Sequence, residues 1–308
     1  METKTHNRRD VYSIVTDRII AQLEKGIVPW KKPWTEAGLP QNFATKRPYR
    51  GINVWLLSML GFERNFFITA NQLKEIGGSV KKGEKSLIVI YWNWREVSDE
   101  DSGEKKQVSF LRYYAVFNVD QCEGLPDEFM PAIPKIIDPI GKCEEIIEGM
   151  PNKPTIKHKD KKAFYNPLLD VVNMPKMNAF DSSESYYDIF FHELAHSTGH
   201  PSRLNRKELV EMAEFGSEPY SIEELTAEMG SCYLQSLCAL GKTFENSAAY
   251  IQGWLNKLKD NRQFVIYAAA KAQHAVDYIL NVQVKEKEKE PEPVVEQSNE
   301  KEDSDLPF

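Results

Sequence analysis

The sequence predicts an α+β fold in two domains, and three observations support this prediction. The first half contains two apolar, β-branched runs, at 87–94 and 113–119, on either side of a polar stretch, as expected for a hairpin in a small antiparallel sheet. The second half is dominated by helical patterns, and a proline-rich stretch at 126–140 separates the halves. We expect domains at 1–128 and 143–283, a linker at 129–142 and a disordered acidic tail at 284–308.

Composition excludes several classes of protein. The 308 residues suffice for two domains with their own cores, and a hydrophobic content of 41% suits folded domains plus a polar tail. The sequence starts with charged residues and has no apolar run approaching about 18 residues, so we expect a cytoplasmic protein with no membrane partner. Its 4 cysteines show no C-x-x-C spacing, which favours reduced thiols over disulfides or a cysteine zinc site.

Charge is unevenly distributed along the chain. Residues 1–95 carry 16 Lys and Arg against 8 Asp and Glu, whereas residues 284–308 carry 4 against 9. A basic front and an acidic end predict different partners for the two ends.

The N-terminal elements follow from periodicity and caps. Residues 10–25 predict an amphipathic helix that Gly26 closes, and residues 69–76 predict a helix capped by Thr69. Trp55 lies in an apolar, helix-like run, where a core position is the favoured interpretation.

Aromatic and basic residues alternate in two segments of this half, and a third segment at 81–85 is rich in lysine. Cations that follow phosphates, next to aromatic rings that stack on bases, are typical of proteins that bind single-stranded nucleic acid. For Trp30 and Trp34 a place in the core is an equally good interpretation. The candidate residues are Trp30, Lys31, Lys32, Trp34, Lys46, Arg47, Tyr49, Arg50, Lys81, Lys82 and Lys85.

The segment Phe190–His196 contains H-E-x-x-H. On a helix, residues four apart share one face, so His192 and His196 can present two imidazole nitrogens to one Zn²⁺. Glu193 follows directly, where a carboxylate can accept a proton from water as a general base. The sequence predicts a zinc site here, with Mn²⁺ and Co²⁺ as open alternatives.

A catalytic zinc site needs a third protein ligand, which the next helical segment offers. This segment opens with Ser221 and Glu224 in capping-box spacing, and Glu224 and Glu228 lie on one face. One of these glutamates can bind the metal while the other orients a histidine, and two solvated glutamates are the alternative.

This pattern resembles the gluzincin metallopeptidases, in which H-E-x-x-H precedes a helix with E-x-x-A-[DE]. The resemblance implies a zincin-like domain with His192, His196 and Glu224 as metal ligands and Glu193 as the general base. Glu228 would be the carboxylate that orients a ligand histidine. His200 loosely resembles the third metzincin histidine, but the spacing differs. Gly199 and Pro201 predict that the helix has ended by then. We therefore expect Glu224 ahead of Glu228 and His200 as third ligand.

The order of motifs over about 125 residues of the first half resembles the N-terminal domain of ArdC-type antirestriction proteins. The matching pieces are P-W-x-K-P-W, R-P-Y-R-G-x-N, K-K-G-E-K-S and F-N-V-D-Q-C-E-G-L. The resemblance covers residues 8–285. It implies a single-stranded-DNA-binding module joined to a gluzincin-like domain, carried by mobile elements and protecting transferred DNA from restriction. The protein substrate, such as a host restriction or DNA-processing protein, stays open.

The remaining segments give weaker indications. We expect a helix at 143–148, a short hairpin formed by 164–167 and 170–175, and closing helices at 246–259 and 261–280.

The last residues resemble the acidic tip of bacterial single-stranded-DNA-binding proteins. Such tips insert a terminal Phe ring into an apolar pocket while acids face a basic rim. We expect this segment to dock proteins that read such tips, through Asp303, Asp305, Leu306, Pro307 and Phe308. Shielding of the basic domain and an acidic tail without a specific role are the alternatives.

A rival hypothesis is a protein without catalytic activity. In that case DNA coating alone blocks restriction enzymes, and the metal only stabilises the second domain.

Overall fold

The computed structural model describes residues 10–31, 38–98, 105–125, 138–210, 217–240 and 248–282. Side chains are described for these residues except 31, 94–98, 105–109 and 248. Lys32, Trp34 and the five predicted docking residues of the tail lie outside the described part. No helix in these ranges is long and apolar enough to cross a membrane.

The first half alternates short helices and strands. Its elements are α1 (Val11–Leu23), β1 (Gln41–Asn42), α2 (Ile52–Ser58), β2 (Phe66–Ile68), α3 (Ala70–Glu75), β3 (Ser79–Val80), β4 (Leu87–Ser98), β5 (Lys105–Asn118) and β6 (Cys122–Glu123). The helix predicted at 10–25 is confirmed as α1. Thr69 caps α3 through a complete capping box with Gln72, as its spacing predicts.

The hairpin of β4 and β5 is longer than predicted. The two strands pair from Leu87 with Val116 to Ser98 with Lys105, so β5 begins eight residues before the predicted Tyr113. The small sheet, predicted to be antiparallel, also contains one parallel pair. The sheet of order β1-β2-β5-β4 is mixed, because β1 pairs with β2 in parallel.

The second half is mainly helical. Its elements are α4 (Pro139–Gly149), β7 (Thr155–Lys157), β8 (Phe164–Asn166), β9 (Val171–Asn173), α5 (Ser183–Ser197), α6 (Lys207–Val210), α7 (Glu218–Leu237), α8 (Ala248–Asp260) and α9 (Phe264–Ile279). The predicted hairpin is confirmed as β8 and β9, and β7 adds to β9 in parallel. Asp138 caps α4, so this helix begins inside the predicted linker.

The predicted start of α7 is wrong by one turn. Ser217, not Ser221, is the N-cap, because its hydroxyl accepts the main-chain N–H of Tyr220, and the helix begins at Glu218. The Ser221 hydroxyl instead donates to the Ser217 carbonyl inside the first turn.

The two halves share one large cluster of the hydrophobic core. Val15 and Ile19 of α1, Trp30, and Trp55 of α2 are buried in the same cluster as residues of α7, α8 and α9. The latter include Leu225, Met229, Trp254, Leu258 and Phe264. The boundary seen in the sequence therefore does not separate two independent cores.

Polar contacts reinforce this junction. The Thr16 hydroxyl donates to the Arg262 carbonyl at 2.6 Å, and the Gly51 amide donates to the Gln273 side chain at 2.9 Å. Gly51 has a φ of 55°, a left-handed conformation that glycine adopts without a steric penalty.

Candidate metal centre

Two histidines of α5 face the same space. The helix is capped by Ser182, whose hydroxyl accepts the amide of Ser185, and it continues to Ser197. His192 and His196 lie one turn apart on it, with their Nε2 atoms 3.1 Å from each other. The helical spacing therefore places both imidazoles as the sequence predicts.

Helix α7 brings Glu224 to the two histidines. Its carboxylate oxygens lie 3.7 Å from Nε2 of His192 and 3.6 Å from Nε2 of His196. One ligand atom from each of the three residues lies within 4.8 Å of the others. The close approach of the helices depends on Gly230, since a Cβ there would lie 3.1 Å from that of Ala195.

The electrostatics of this cluster suit a cation. Burial by itself lowers the pKa of His192, but Glu224, Glu193 and Glu228 raise it above its ordinary value. Burial raises the pKa of Glu224, but the two histidines lower it below its ordinary value. Two imidazole nitrogens and a carboxylate form a donor set that Zn²⁺ and related divalent ions accept, so the residues fit such an ion.

Glu223 orients His196 through the ring nitrogen that does not face the cluster. Its carboxylate lies 3.0 Å from Nδ1 of His196, and both side chains are almost fully buried. Burial raises the pKa of Glu223, but Arg206 and His196 bring it down to about 2. Because an ionised carboxylate only accepts hydrogen bonds, Nδ1 of His196 carries the proton, and its Nε2 lone pair is directed at the cluster.

Arg206 holds this carboxylate and the end of α5 together. Its guanidinium donates to the two oxygens of Glu223 at 2.8 and 2.6 Å and to the carbonyl of Ala195 at 2.9 Å. It also donates to the Thr198 hydroxyl at 2.5 Å. Gly199 leaves room for the Arg206 guanidinium, because a Cβ at position 199 would lie only 3.0 Å from it.

Sequence patterns do not identify Glu223 or Arg206 as functional residues. The tandem glutamates at 223 and 224 are visible in the sequence, but only the rotation of α7 decides which one points at the imidazoles. Arg206 lies beyond α5 and carries no motif.

Two residues considered as third ligands are not part of the cluster, although Glu228 lines the same pocket as His192. His200 follows the end of α5, and its Nδ1 lies 2.8 Å from the Ser202 hydroxyl. Glu228 accepts hydrogen bonds from the Trp30 indole at 3.2 Å and from the Tyr250 hydroxyl. Neither belongs to the three-residue cluster. The carboxylate hydrogen-bonded to Nδ1 of His196 is that of Glu223, while Glu228 acts on His192 through its charge.

A pocket of about 510 Å³ opens beside the cluster. Glu193 and Glu228 line it together with His192, and Lys162 and Ile189 also contribute to its lining. Strand β8 follows Ala163, which also lines this pocket, and forms an edge of the sheet β7-β9-β8 in the described part of the chain. The pocket is therefore bordered by a carboxylate next to the cluster and by a nearby strand edge.

The predicted nucleic-acid residues are placed in different surroundings. Trp30 has no exposed surface and packs edge-on against Trp254 at 5.8 Å, so it has no face to offer a base. Tyr49 is 7% exposed and packs against Phe67, which gives the same correction. Arg50 forms an ion pair with Asp277 of α9.

The other basic candidates with described side chains lie on two exposed turns. Lys46 and Arg47 follow β1, and the Lys46 ammonium lies 4.2 Å from the centre of the Phe43 ring. Lys81, Lys82 and Lys85 lie between β3 and β4, where Lys81 donates to the Asp120 carbonyl at 2.8 Å.

Two families match this chain in sequence. Residues 9–117 match the N-terminal domain of the anti-restriction factor ArdC, and residues 142–271 match a zincin-like metallopeptidase family.

Solved structures match over both parts together. The metal-free crystal structure of the antirestriction ArdC protein from plasmid R388 has a TM-score of 0.72 and 37% identity, over 88% of this chain and 97% of that one. Its Mn(II)-bound structure has a TM-score of 0.70 and 35% identity over the same shares.

Relatives of different lengths also match. A protein named DNA primase TraC from Escherichia coli is 34% identical in an alignment of 301 residues that covers 91% of this chain and 20% of that protein. The chain thus spans about a fifth of that relative. The uncharacterized protein y4eC of Sinorhizobium fredii is 31% identical over 88% of this chain and 91% of its own length.

Proposed function

Because the chain belongs to the ArdC antirestriction family, we propose that it binds single-stranded DNA of a mobile element and protects this DNA from host defence with a zinc-dependent peptidase centre. The observation that carries the catalytic part is the cluster of His192, His196 and Glu224 within 4.8 Å, with Glu193 on the wall of the adjacent pocket.

His192, His196 and Glu224 would hold the ion. When bound, a divalent cation polarises a peptide carbonyl and makes water more acidic. Zn²⁺ is our first assignment because three nitrogen and oxygen donors with room for a further ligand are typical of catalytic zinc.

Glu193 supplies the proton transfers. It is half-buried and lines the pocket next to His192, so its carboxylate faces the place where a peptide bond and a water molecule would meet. It accepts the proton of the attacking water and then donates it to the leaving amine. Glu223 and Arg206 hold His196 in the tautomer that this chemistry requires.

The border of the pocket suits an extended peptide. The edge of β8 can add a strand through main-chain hydrogen bonds, which place a scissile bond without demanding a particular sequence. We therefore expect an unstructured segment of a host restriction or DNA-processing protein as substrate.

A substitution of Glu193 tests the proposal. Glu193→Gln preserves the side-chain volume and leaves the cluster intact, so bound metal and DNA affinity should equal those of the unchanged protein. Cleavage of host proteins and survival of transferred, unmodified DNA in a restricting host should both be lost. Full survival with Glu193→Gln would contradict the catalytic role.

The rival function is protection by DNA binding alone. It is favoured by the shared core, because a metal that ties α5 to α7 also stabilises the surface onto which α1 packs. Under this alternative Glu193→Gln protects DNA as well as the unchanged protein does, whereas loss of DNA binding abolishes protection.

A further inference from the structure

The outer surface of the β4–β5 hairpin carries aromatic residues that the sequence motifs do not include. Side chains alternate across a strand, and the register pairs Tyr91 with Arg112 and Asn93 with Phe110. Tyr114 lies diagonally opposite Tyr91 on the same surface. We call these five residues the hairpin face.

The opposite surface of the hairpin packs on the helices. Ile90 and Leu111 are buried in the core shared by both halves, and Trp92 contacts Tyr12 of α1 at a centroid distance of 6.4 Å. The hairpin face therefore points away from α1.

The rings of the hairpin face are close together and only partly covered. Those of Tyr91 and Tyr114 lie 5.8 Å apart, and the Arg112 guanidinium lies 5.1 Å from the Phe110 ring. Arg112 is exposed, while the three rings and Asn93 are half-buried. Such rings keep part of a flat surface in contact with solvent, and packing against neighbours holds them in fixed orientations.

The charge of this surface has one sign. Between 87 and 93 and between 110 and 116, the side chains on this side include Arg112 and no acidic residue. At its base, Tyr49 packs in one cluster with Tyr114 and Val89. The exposed turn with Lys46 and Arg47 directly precedes Tyr49, so further cations lie at this end.

We infer that the hairpin face is the stacking surface for single-stranded DNA. Bases of a single strand expose their faces to aromatic rings, and cations beside the rings pair with phosphates. In a duplex the bases are stacked on each other and cannot reach these rings. A peptide substrate would have less reason to choose this surface, because main-chain pairing needs a strand edge and not a strand face. The inference rests on the proposed DNA binding and specifies where it takes place.

Binding of an oligo-dT strand of about 30 nucleotides by the full chain, followed by fluorescence anisotropy, tests the inference. Tyr91→Ala and Phe110→Ala should each weaken binding about tenfold, whereas Tyr91→Phe, which retains a ring, should bind as the unchanged protein does. Arg112→Gln should reduce the slope of log affinity against log salt by about 0.7, the value for one phosphate contact on a single strand.

Tyr113→Ala is the matched control. Tyr113 is the neighbour of Arg112 on the same strand, is 45% exposed and lies on the opposite surface. Its substitution should leave the affinity unchanged. Circular dichroism of each variant excludes loss of fold as the cause.

Three results would overturn the inference. The first is that folded Tyr91→Ala and Phe110→Ala bind oligo-dT as tightly as the unchanged protein does. The second is that Tyr113→Ala loses as much affinity as these two variants. The third is that the protein binds duplex DNA as tightly as single-stranded DNA. If the unchanged protein does not bind oligo-dT at all, the proposed DNA binding itself fails, which is a distinguishable outcome. Loss of protein-substrate cleavage with intact DNA binding would assign the surface to the peptide and also contradict the inference.

Discussion

Glu223 and Arg206 act on the metal centre without contributing a ligand atom to the cluster. Arg206 is 6% exposed and Glu223 is 4% exposed, so each charge depends on the other for compensation. Their contacts reach His196 on one side and the carbonyl oxygens at the end of α5 on the other. The orientation of one imidazole is thereby tied to the way the helix ends.

Glu223→Gln should weaken metal binding about 10–100-fold, a range typical of lost hydrogen-bond partners behind ligand histidines. The amide can still accept from His196, but the negative charge is lost and Arg206 becomes a buried cation without its anion. Competition with a chromophoric chelator measures the affinity. Glu145→Gln, on the exposed side of α4, is the control and should have no effect. Equal affinities in the two variants would contradict this role.

Trp30→Phe should lower the free energy of unfolding by about 1–3 kcal/mol, because it leaves Glu228 without the indole donor and trims a buried ring. The affinity for single-stranded DNA should not change, since the ring is inside the protein. Urea unfolding and oligo-dT binding measure the two quantities. A loss of DNA binding without a loss of stability would restore the stacking role that the sequence suggested.

At the scale of elements, α5 is fixed to the β8–β9 turn by Arg203. Its guanidinium donates to the Ser197 carbonyl at 2.7 Å, to the Tyr165 hydroxyl at 3.2 Å and to both carboxylate oxygens of Asp170. Asp170 has a φ of 50°, so the turn is held in a conformation that most residues avoid. The edge strand β8 and helix α5 are thus positioned by one buried cation.

This contact predicts an acid-dependent loss of stability. Burial raises the pKa of Asp170, but Arg203 and Tyr165 bring it below its ordinary value of 3.8. A lowered folded-state pKa means that ionised Asp170 contributes stability above about pH 4, which is lost as the pH falls through the folded value. Asp170→Asn should remove this part of the dependence in urea unfolding at several pH values. The exposed Asp181→Asn should retain it, and identical pH profiles of both variants would contradict the assignment.

At the scale of the whole molecule, the shared core predicts joint unfolding. The apolar faces of α7, α8 and α9 are covered in part by α1, Trp30 and α2, so separating the halves would expose this surface to water. Calorimetry of the full chain should show one cooperative transition, and a fragment of residues 138–308 should unfold at a lower temperature. Two well-separated transitions would show instead that the halves are independent.

Local patterns account for the parts of this protein that the sequence could predict. His192 and His196 share a face because helical spacing is a local property, and the Thr69 cap and the β8–β9 hairpin are equally local. Burial of Trp30 could not be predicted, because its partners Glu228 and Tyr250 lie about 200 residues away in the sequence. The role of Glu223 could not be predicted for the same reason, because the direction of its side chain depends on how α7 packs on α5.

Metal analysis of the purified protein tests the central claim most directly. Mass spectrometry of the metal content should find about one divalent ion per chain in the unchanged protein and in Glu193→Gln, since three protein ligands suffice for a zinc site. Glu224→Ala should lose this ion on dialysis because it removes one ligand. If Glu224→Ala retains the ion as firmly as the unchanged protein does, the metal is not held by His192, His196 and Glu224.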